Sequence, residues 1–380
     1  MYELFLELLQ AGIWGRQANW SVFFKYVQKN QKAIPWEELL ALSLRQTVVG
    51  PVSDGLSSLR EQLKRVELPA DDLAKMSPSK DVVRKFVKQV ISVEDRYKRS
   101  VELNREICKI IPGPFVVGKG IGLAAVYPRP ELRYSSDIDL LVPLQKYDTA
   151  KQAMTIWADN RLGEEKRDLE TKFLKGRILI ELHGTANMRI TGQMDRVLNL
   201  LKEEMFDTGC ADALSVDKDT KVPIPDATFN SLYILAHILH HFYRGGIAIK
   251  AFCDWTLFMS KHASELSQST IREYVDQMGL WEEWQGIASF SVKYLGADPE
   301  SFLYLKAVDH NMADRILDFV LDVRNSAERP LSKSFAMRKI QAFITGFHYI
   351  HVTRHIFPNG SRRALGFLAQ DGILRCIKGN

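Results

Sequence analysis

The stretch "RYSSDIDLLV", residues 133–142, decides how the chain is read. It sets Asp137 and Asp139 around one isoleucine and runs straight on into Leu-Leu-Val. The apolar run marks a buried strand, where carboxylates without partners are costly. Side chains at i and i+2 of a strand share a face, so Asp137 and Asp139 project together, opposite Ile138 and Leu140. Two carboxylates that close repel unless a cation lies between them or one keeps its proton. A hard divalent ion with oxygen ligands, Mg²⁺ foremost, removes the repulsion. Taken alone, an Asp-x-Asp pair also fits an edge strand with both acids in water.

A third acid strengthens the metal reading. In "RILIELHGT" (177–185), Leu179, Glu181 and His183 share one strand face and Ile178 and Ile180 the other. If this strand lies beside the first, Glu181 joins Asp137 and Asp139. Three acids on adjacent strands suit two-metal phosphoryl chemistry, one ion activating the attacking oxygen and the other holding the triphosphate. Upstream, "VVGKGIG" (116–122) places Gly118, Gly120 and Gly122 between an apolar strand and a helix start. Backbone amides there can approach phosphate oxygens, and Lys119 adds a point charge. Glycines also end strands for purely conformational reasons. The turn is not a Walker A loop, because the Gly-Lys-Ser/Thr ending is absent.

Outward from these strands the texture is helical. The first 80 residues alternate helical apolar patterns with Pro and Gly punctuation, and residues 80–111 form the longest candidate helix, ended by "PGP" at 112–114. "QKYDTAKQAMTIWADN" reads as a helix, and "TKFLKGRILIELHGT" as a hairpin around Lys175-Gly176. "DTGCADALSVDKDTKVPIPD" reads as a polar connection; beyond it the chain is almost wholly helical, with Asp226 as the N-cap of "ATFNSLYILAHILHHFY". The class is α+β: residues 1–80 an N-terminal helical region, 81–223 a small mixed-sheet palm, 224–380 a C-terminal helical domain.

Composition narrows the class. Hydrophobic content of 46% and charged content of 26% are ordinary for a globular protein. "MYELFLELLQAGIW" has Glu3 and Glu7 in its apolar stretch and no basic leader, so it reads as an amphipathic helix and not a signal peptide. No apolar run approaches the roughly 20 residues of a membrane span. Cys108, Cys210, Cys253 and Cys376 have neither metal-type nor disulfide-framework spacing, which points to a reducing cytoplasm. Ser332 to Asn380 carries eight basic residues (Lys333, Arg338, Lys339, Arg354, Arg362, Arg363, Arg375, Lys378) against Asp371, so this tail is +7 and the other 331 residues sum to −2. It reads as a solvated helix face or as a surface that tracks nucleic acid. The seven scattered tryptophans read as core packing.

Taken together, "VGKGIGLAAVYPRPELRYSSDIDLLV", the later "IELHG" and the helix with "AHILHHF" resemble an uncharacterised bacterial nucleotidyltransferase family of the DNA polymerase β-like superfamily, the glycine turn standing 19 residues before Asp137. The resemblance implies a nucleotidyltransferase palm that binds an NTP (ATP the first candidate) and Mg²⁺, two ions in number, flanked by helices that shape an acceptor pocket. By it, Asp137, Asp139 and Glu181 bind the ions, with Glu181 orienting or deprotonating the acceptor. Gly118, Lys119 and Gly120 hold the triphosphate, and Arg133 and Ser136 touch phosphate. The superfamily's usual Gly-Ser pair reads Gly118-Lys119 here, which leaves open a palm that only binds nucleotide or regulates.

His237, His240 and His241 sit at i, i+3 and i+4 of one helix, with Asp254 beyond. A metal-dependent phosphohydrolase of the histidine–aspartate type needs an adjacent His-Asp pair, and the chain has His240-His241 instead. His183, His240, Arg244, Lys250 and Asp254 are the candidates for the acceptor pocket, the acceptor being a small molecule or a protein hydroxyl.

Overall fold

Five helices open the chain: α1 (Tyr2–Trp14), α2 (Trp20–Asn30), α3 (Trp36–Arg45), α4 (Val49–Leu63) and α5 (Ala70–Met76). The computed structural model describes residues 1–209, 211–216, 218–266, 268–322 and 335–378. Cys210 and Lys333 lie outside the described residues, as do the side chains of Arg338, Lys339, Asp371, Arg375, Cys376 and Lys378, and with them most of the basic tail. Next comes the long helix α6 (Lys80–Ile110), started by Ser79, whose hydroxyl accepts from the Val82 amide at 3.3 Å, and stopped before Pro112. Its ends fall where a side-chain cap and a proline put them.

The palm follows. β1 (Val116–Val117), α7 (Ile121–Ala124), β2 (Asp137–Leu141), α8 (Tyr147–Trp157), β3 (Asn160–Glu165), β4 (Glu170–Lys175) and β5 (Ile178–His183) make a five-stranded sheet of order β1-β2-β5-β4-β3. β2 and β5 are parallel neighbours in the centre, while the β4–β5 pair is the hairpin expected around Lys175-Gly176. One face of the sheet, with Ile138, Leu140, Ile180 and Leu182, packs with Ile107 of α6 and Ala150 and Met154 of α8 into a core of its own. The opposite face carries the acids. The α+β class is therefore that expected, with a mixed sheet between helical flanks.

Beyond the palm lie α9 (Gly192–Thr208), the β6 (Asp212–Ser215)–β7 (Lys221–Ile224) pair, α10 (Ala227–Arg244), α11 (Ile249–His262), α12 (Gln268–Met278), α13 (Trp281–Leu295), α14 (His310–Leu321), α15 (Phe335–Thr353) and α16 (Pro358–Lys378). The Asp226 carboxylate caps α10, accepting from the Phe229 amide at 2.9 Å. The stretch read as a polar connection instead contains β6 and β7, a short two-stranded sheet. N-terminal and C-terminal helices share a single large core: Phe5, Leu8, Leu39 and Leu59 cluster with Trp255, Trp284, Phe290 and Ile316. Gln10 donates to the Tyr294 carbonyl at 3.1 Å, joining α1 to α13. No helix of the described residues is long and apolar enough to cross a membrane.

Candidate active site

The acids stand at the end of a pinned loop. Residues 128–136 lead into β2, and Arg96 of α6 donates to the carbonyls of Ser135 at 2.5 Å and Ser136 at 2.9 Å. Arg129 pairs with Asp54 of α4 at 2.9 Å. A side chain on Gly50 would collide with the Leu132 carbonyl, so α4 approaches the loop at backbone distance. Behind the loop, the Gly118 amide donates to the Asp139 carbonyl at 2.9 Å, continuing the β1–β2 ladder. Gly118 packs tightly on Leu141 and Tyr233, so that a Cβ would push the Leu141 side chain aside, and Gly120, at φ +74, takes a conformation that L side chains rarely adopt. The helix after it, α7, is only four residues long.

Register then assembles the cluster. Asp139 lies directly across from Glu181 on the neighbouring parallel strand, and Asp137 across from Leu179. Asp139 is 1% exposed. Its Oδ2 stands 3.2 Å from Lys119 Nζ and its Oδ1 3.5 Å from His183 Nε2, which is also 3.8 Å from Glu181 Oε2. From β4, Lys172 pairs with Glu181 and, at 2.9 Å, with Glu170. Burial pushes the Asp139 carboxyl up, but the Lys119 ammonium and then His183 outweigh it, so it titrates below the usual carboxylate range. Glu181 is shifted the other way, by burial and by the charge of Asp139. Lys119 is raised: burial opposes its charge, and Asp139, Asp137 and Glu181 more than offset that.

Asp139, Glu181 and His183 each offer a ligand atom, all within 4.8 Å of one another. His183 Nε2 is buried and makes no hydrogen bond, while Asp139 Oδ2, also buried, has the Lys119 ammonium as its ionic partner at 3.2 Å. Two carboxylates, one imidazole and a buried ring nitrogen without a hydrogen-bond partner fit a divalent cation. Asp137 is not in this trio. It is half-buried, accepts from the Ser136 hydroxyl at 3.0 Å, and faces the cleft beside Lys119.

That cleft, about 280 Å³, is lined by Lys119, Arg133, Asp137, His237, His241 and Lys250 among others. Arg133 and Asp254 both border it, yet they hold each other: Nε to Oδ1 at 2.7 Å and Nη2 to Oδ2 at 2.8 Å, with Nη1 donating to the Gly120 carbonyl at 3.1 Å. Tyr127 donates to the same Asp254 at 2.7 Å, and Lys250 lies 3.4 Å from it. Arg133 thus ties α11 to the glycine turn. The histidine helix divides. His237 and His241 face the cleft, and Lys119 Nζ is 3.2 Å from the His237 ring nitrogens. His240 points away and hydrogen-bonds the Met188 carbonyl through Nδ1 at 2.8 Å, while Arg244 donates to the Arg189 carbonyl. His183 belongs to the acid cluster. The spacing carried no signal for the split, since His240 and His241 both lie about one turn from His237; the Met188 carbonyl decides it.

These three histidines are half-buried and are held neutral. Burial is the first cause at each; His240 is lowered to about 4 and His241 to about 3, and His237 well below the usual value. Their folded pKa lies below the unfolded value near 6.5, so stability is full above pH ~6.5 and is lost as pH falls toward the folded values. Each histidine contributes a slope of about 1.4 kcal/mol per pH unit between roughly pH 6 and 4.5. Urea denaturation across that range is expected to show the loss, and His241→Gln to flatten it by one histidine's share. An unchanged slope in His241→Gln would contradict the neutral assignment.

A search of curated proteins and one of solved structures each finds no match. A family model described as "Uncharacterised nucleotidyltransferase" does match, over residues 32–296, and so takes in the five-stranded sheet and helices α3 to α13. By that match, which spans more than half the sequence and contains the acid cluster and its cleft, the chain belongs to this nucleotidyltransferase family.

Proposed function

We propose that the protein transfers a nucleoside monophosphate group from an NTP, ATP first among them, to a hydroxyl of a small molecule or protein, with Mg²⁺ and release of pyrophosphate. The observation that carries this is Asp139 directly across from Glu181 on adjacent parallel strands, with a basic cleft opening beside Asp137. The palm is residues 81–223, a fold of the DNA polymerase β type, working in the cytoplasm.

Asp139, Glu181 and His183 would hold a divalent ion, with Asp137 beside them. Bound there, such an ion supplies Lewis-acid stabilisation of phosphoryl oxygens. The acceptor oxygen bonds to the α-phosphorus, the bond from that phosphorus to the β-bridging oxygen breaks, and the pair leaves with pyrophosphate. Glu181 takes the acceptor's proton, in keeping with its raised pKa. Lys119 and Lys250 line the cleft as cations for anionic ligand groups, and the Ser136 hydroxyl stands beside Asp137 as a phosphate donor. Arg133 positions the glycine turn through Gly120. The phosphohydrolase reading loses support, since His240 is engaged by Met188. A palm that binds without turnover keeps one: Lys119 sits against Asp139.

Calorimetric titration of ATP, GTP, CTP and UTP, with and without Mg²⁺, tests the proposal on wild type and on Asp137→Asn/Asp139→Asn. Expected is Mg²⁺-dependent binding of at least one nucleotide, weakened at least about 10-fold in the double variant. Equal affinity in a folded double variant would remove the palm from consideration.

A further inference from the structure

The two oxygens of Asp139 meet different neighbours. Oδ1 is on the side of His183, and Oδ2 is 3.2 Å from Lys119 Nζ. Lys119 is 9% exposed, stands between a tight Gly118 and a positive-φ Gly120, and is braced by the His237 ring at 3.2 Å. Its ammonium is therefore a fixed charge in the acid cluster. Asp137, Glu170 and Glu181 stand around Asp139, and Lys119 pairs with Asp139 while Lys172 pairs with Glu170 and Glu181.

We infer that Lys119 stands in for the second ion of the carboxylate site, so that the chain binds one divalent ion, on the Asp139, Glu181 and His183 side, beside a tethered ammonium. This rests on the nucleotidyl-transfer reading and replaces the two ions expected from sequence. A second divalent ion on Oδ2 would have to sit against Lys119, and like charges at that distance repel strongly with so little solvent between them. The glycine turn presents Lys119, and the lysine puts its charge on Asp139. An ammonium cannot polarise a phosphoryl oxygen as an ion does, but it hydrogen-bonds one and never dissociates.

Bound Mn²⁺ is counted by electron paramagnetic resonance of the free ion, with protein alone and no nucleotide. Wild type and Lys119→Arg are expected to bind one Mn²⁺ per chain, and Lys119→Ser and Lys119→Ala two. Mg²⁺ is also expected to raise the Tm of Lys119→Ser by more than it raises that of wild type, because the ion then replaces a missing buried partner. Two Mn²⁺ on wild type, or one on a folded Lys119→Ser with no larger Mg²⁺ shift, overturns the inference while leaving the parent reading intact. No Mn²⁺ on wild type overturns the inference, and binding unaffected by Asp139→Asn overturns both. If Lys119→Ser and Lys119→Ala fail to fold, two Mn²⁺ on wild type still overturns the inference.

Discussion

Glu181→Gln is expected to cut nucleotidyl transfer by about 10³-fold while changing the affinity for Mg²⁺-NTP by less than about 10-fold. The substitution keeps the shape of the side chain and an amide oxygen near His183, so a ligand atom stays in place although one carboxylate charge is lost. It removes the carboxylate that accepts the acceptor's proton. Asp139→Asn should behave differently, losing both affinity and transfer, because among the described residues Asp139 is the one acid paired with both Lys119 and His183. Release of labelled pyrophosphate from [γ-32P]NTP, with fractionated metabolites and proteins as acceptors, gives the rates. Calorimetry gives the affinities. Transfer by Glu181→Gln within 10-fold of wild type would rule Glu181 out as the base.

The second large effect is on stability. Asp254→Ala removes the partner of a guanidinium that is 3% exposed and makes two of its contacts, at 2.7 and 2.8 Å, to that one carboxylate. Breaking a buried pair from one side leaves an uncompensated charge, which costs about 3–5 kcal/mol. Tyr127 loses its acceptor as well. Replacing both partners by apolar residues of similar size, Arg133→Met with Asp254→Leu, is expected to recover much of the loss. Urea denaturation followed by circular dichroism measures both. The double variant should nonetheless bind nucleotide poorly, since the Gly120 carbonyl has lost Arg133. An Asp254→Ala protein as stable as wild type would show that the pair is not the clamp described.

Much of the site was legible because strands advertise their faces. Alternation alone put Asp137 with Asp139 and Glu181 with His183, and the β2–β5 register set Asp139 beside Glu181 and His183 while Asp137 faces the cleft. The β4–β5 hairpin and the Asp226 cap follow from local chemistry and were readable for the same reason. Strand β3 was not, because it is an edge strand with nearly every residue exposed and has no apolar period. β6 and β7 hid in polar composition likewise. Arg96, which holds Ser135 and Ser136, carries no local signal: its partners lie some 40 residues away in sequence. Arg133 looked like a phosphate contact because it adjoins the acids, and only the tertiary structure brings Asp254 to it, 121 residues on.

That reach in sequence has a consequence for how the protein comes into being. The loop before β2 leans on Gly50 and Asp54 from one side and, through Arg133, on Asp254 from the other. A nascent chain that has emerged only as far as residue 223 already contains every acid of the cluster, yet not the carboxylate that orients Arg133, nor the wall of the cleft from His237 to Lys250. Until α11 arrives, a growing chain has the reactive parts without their frame. Synthesis order therefore gives an unfinished chain the carboxylates before the cleft wall that stands beside them.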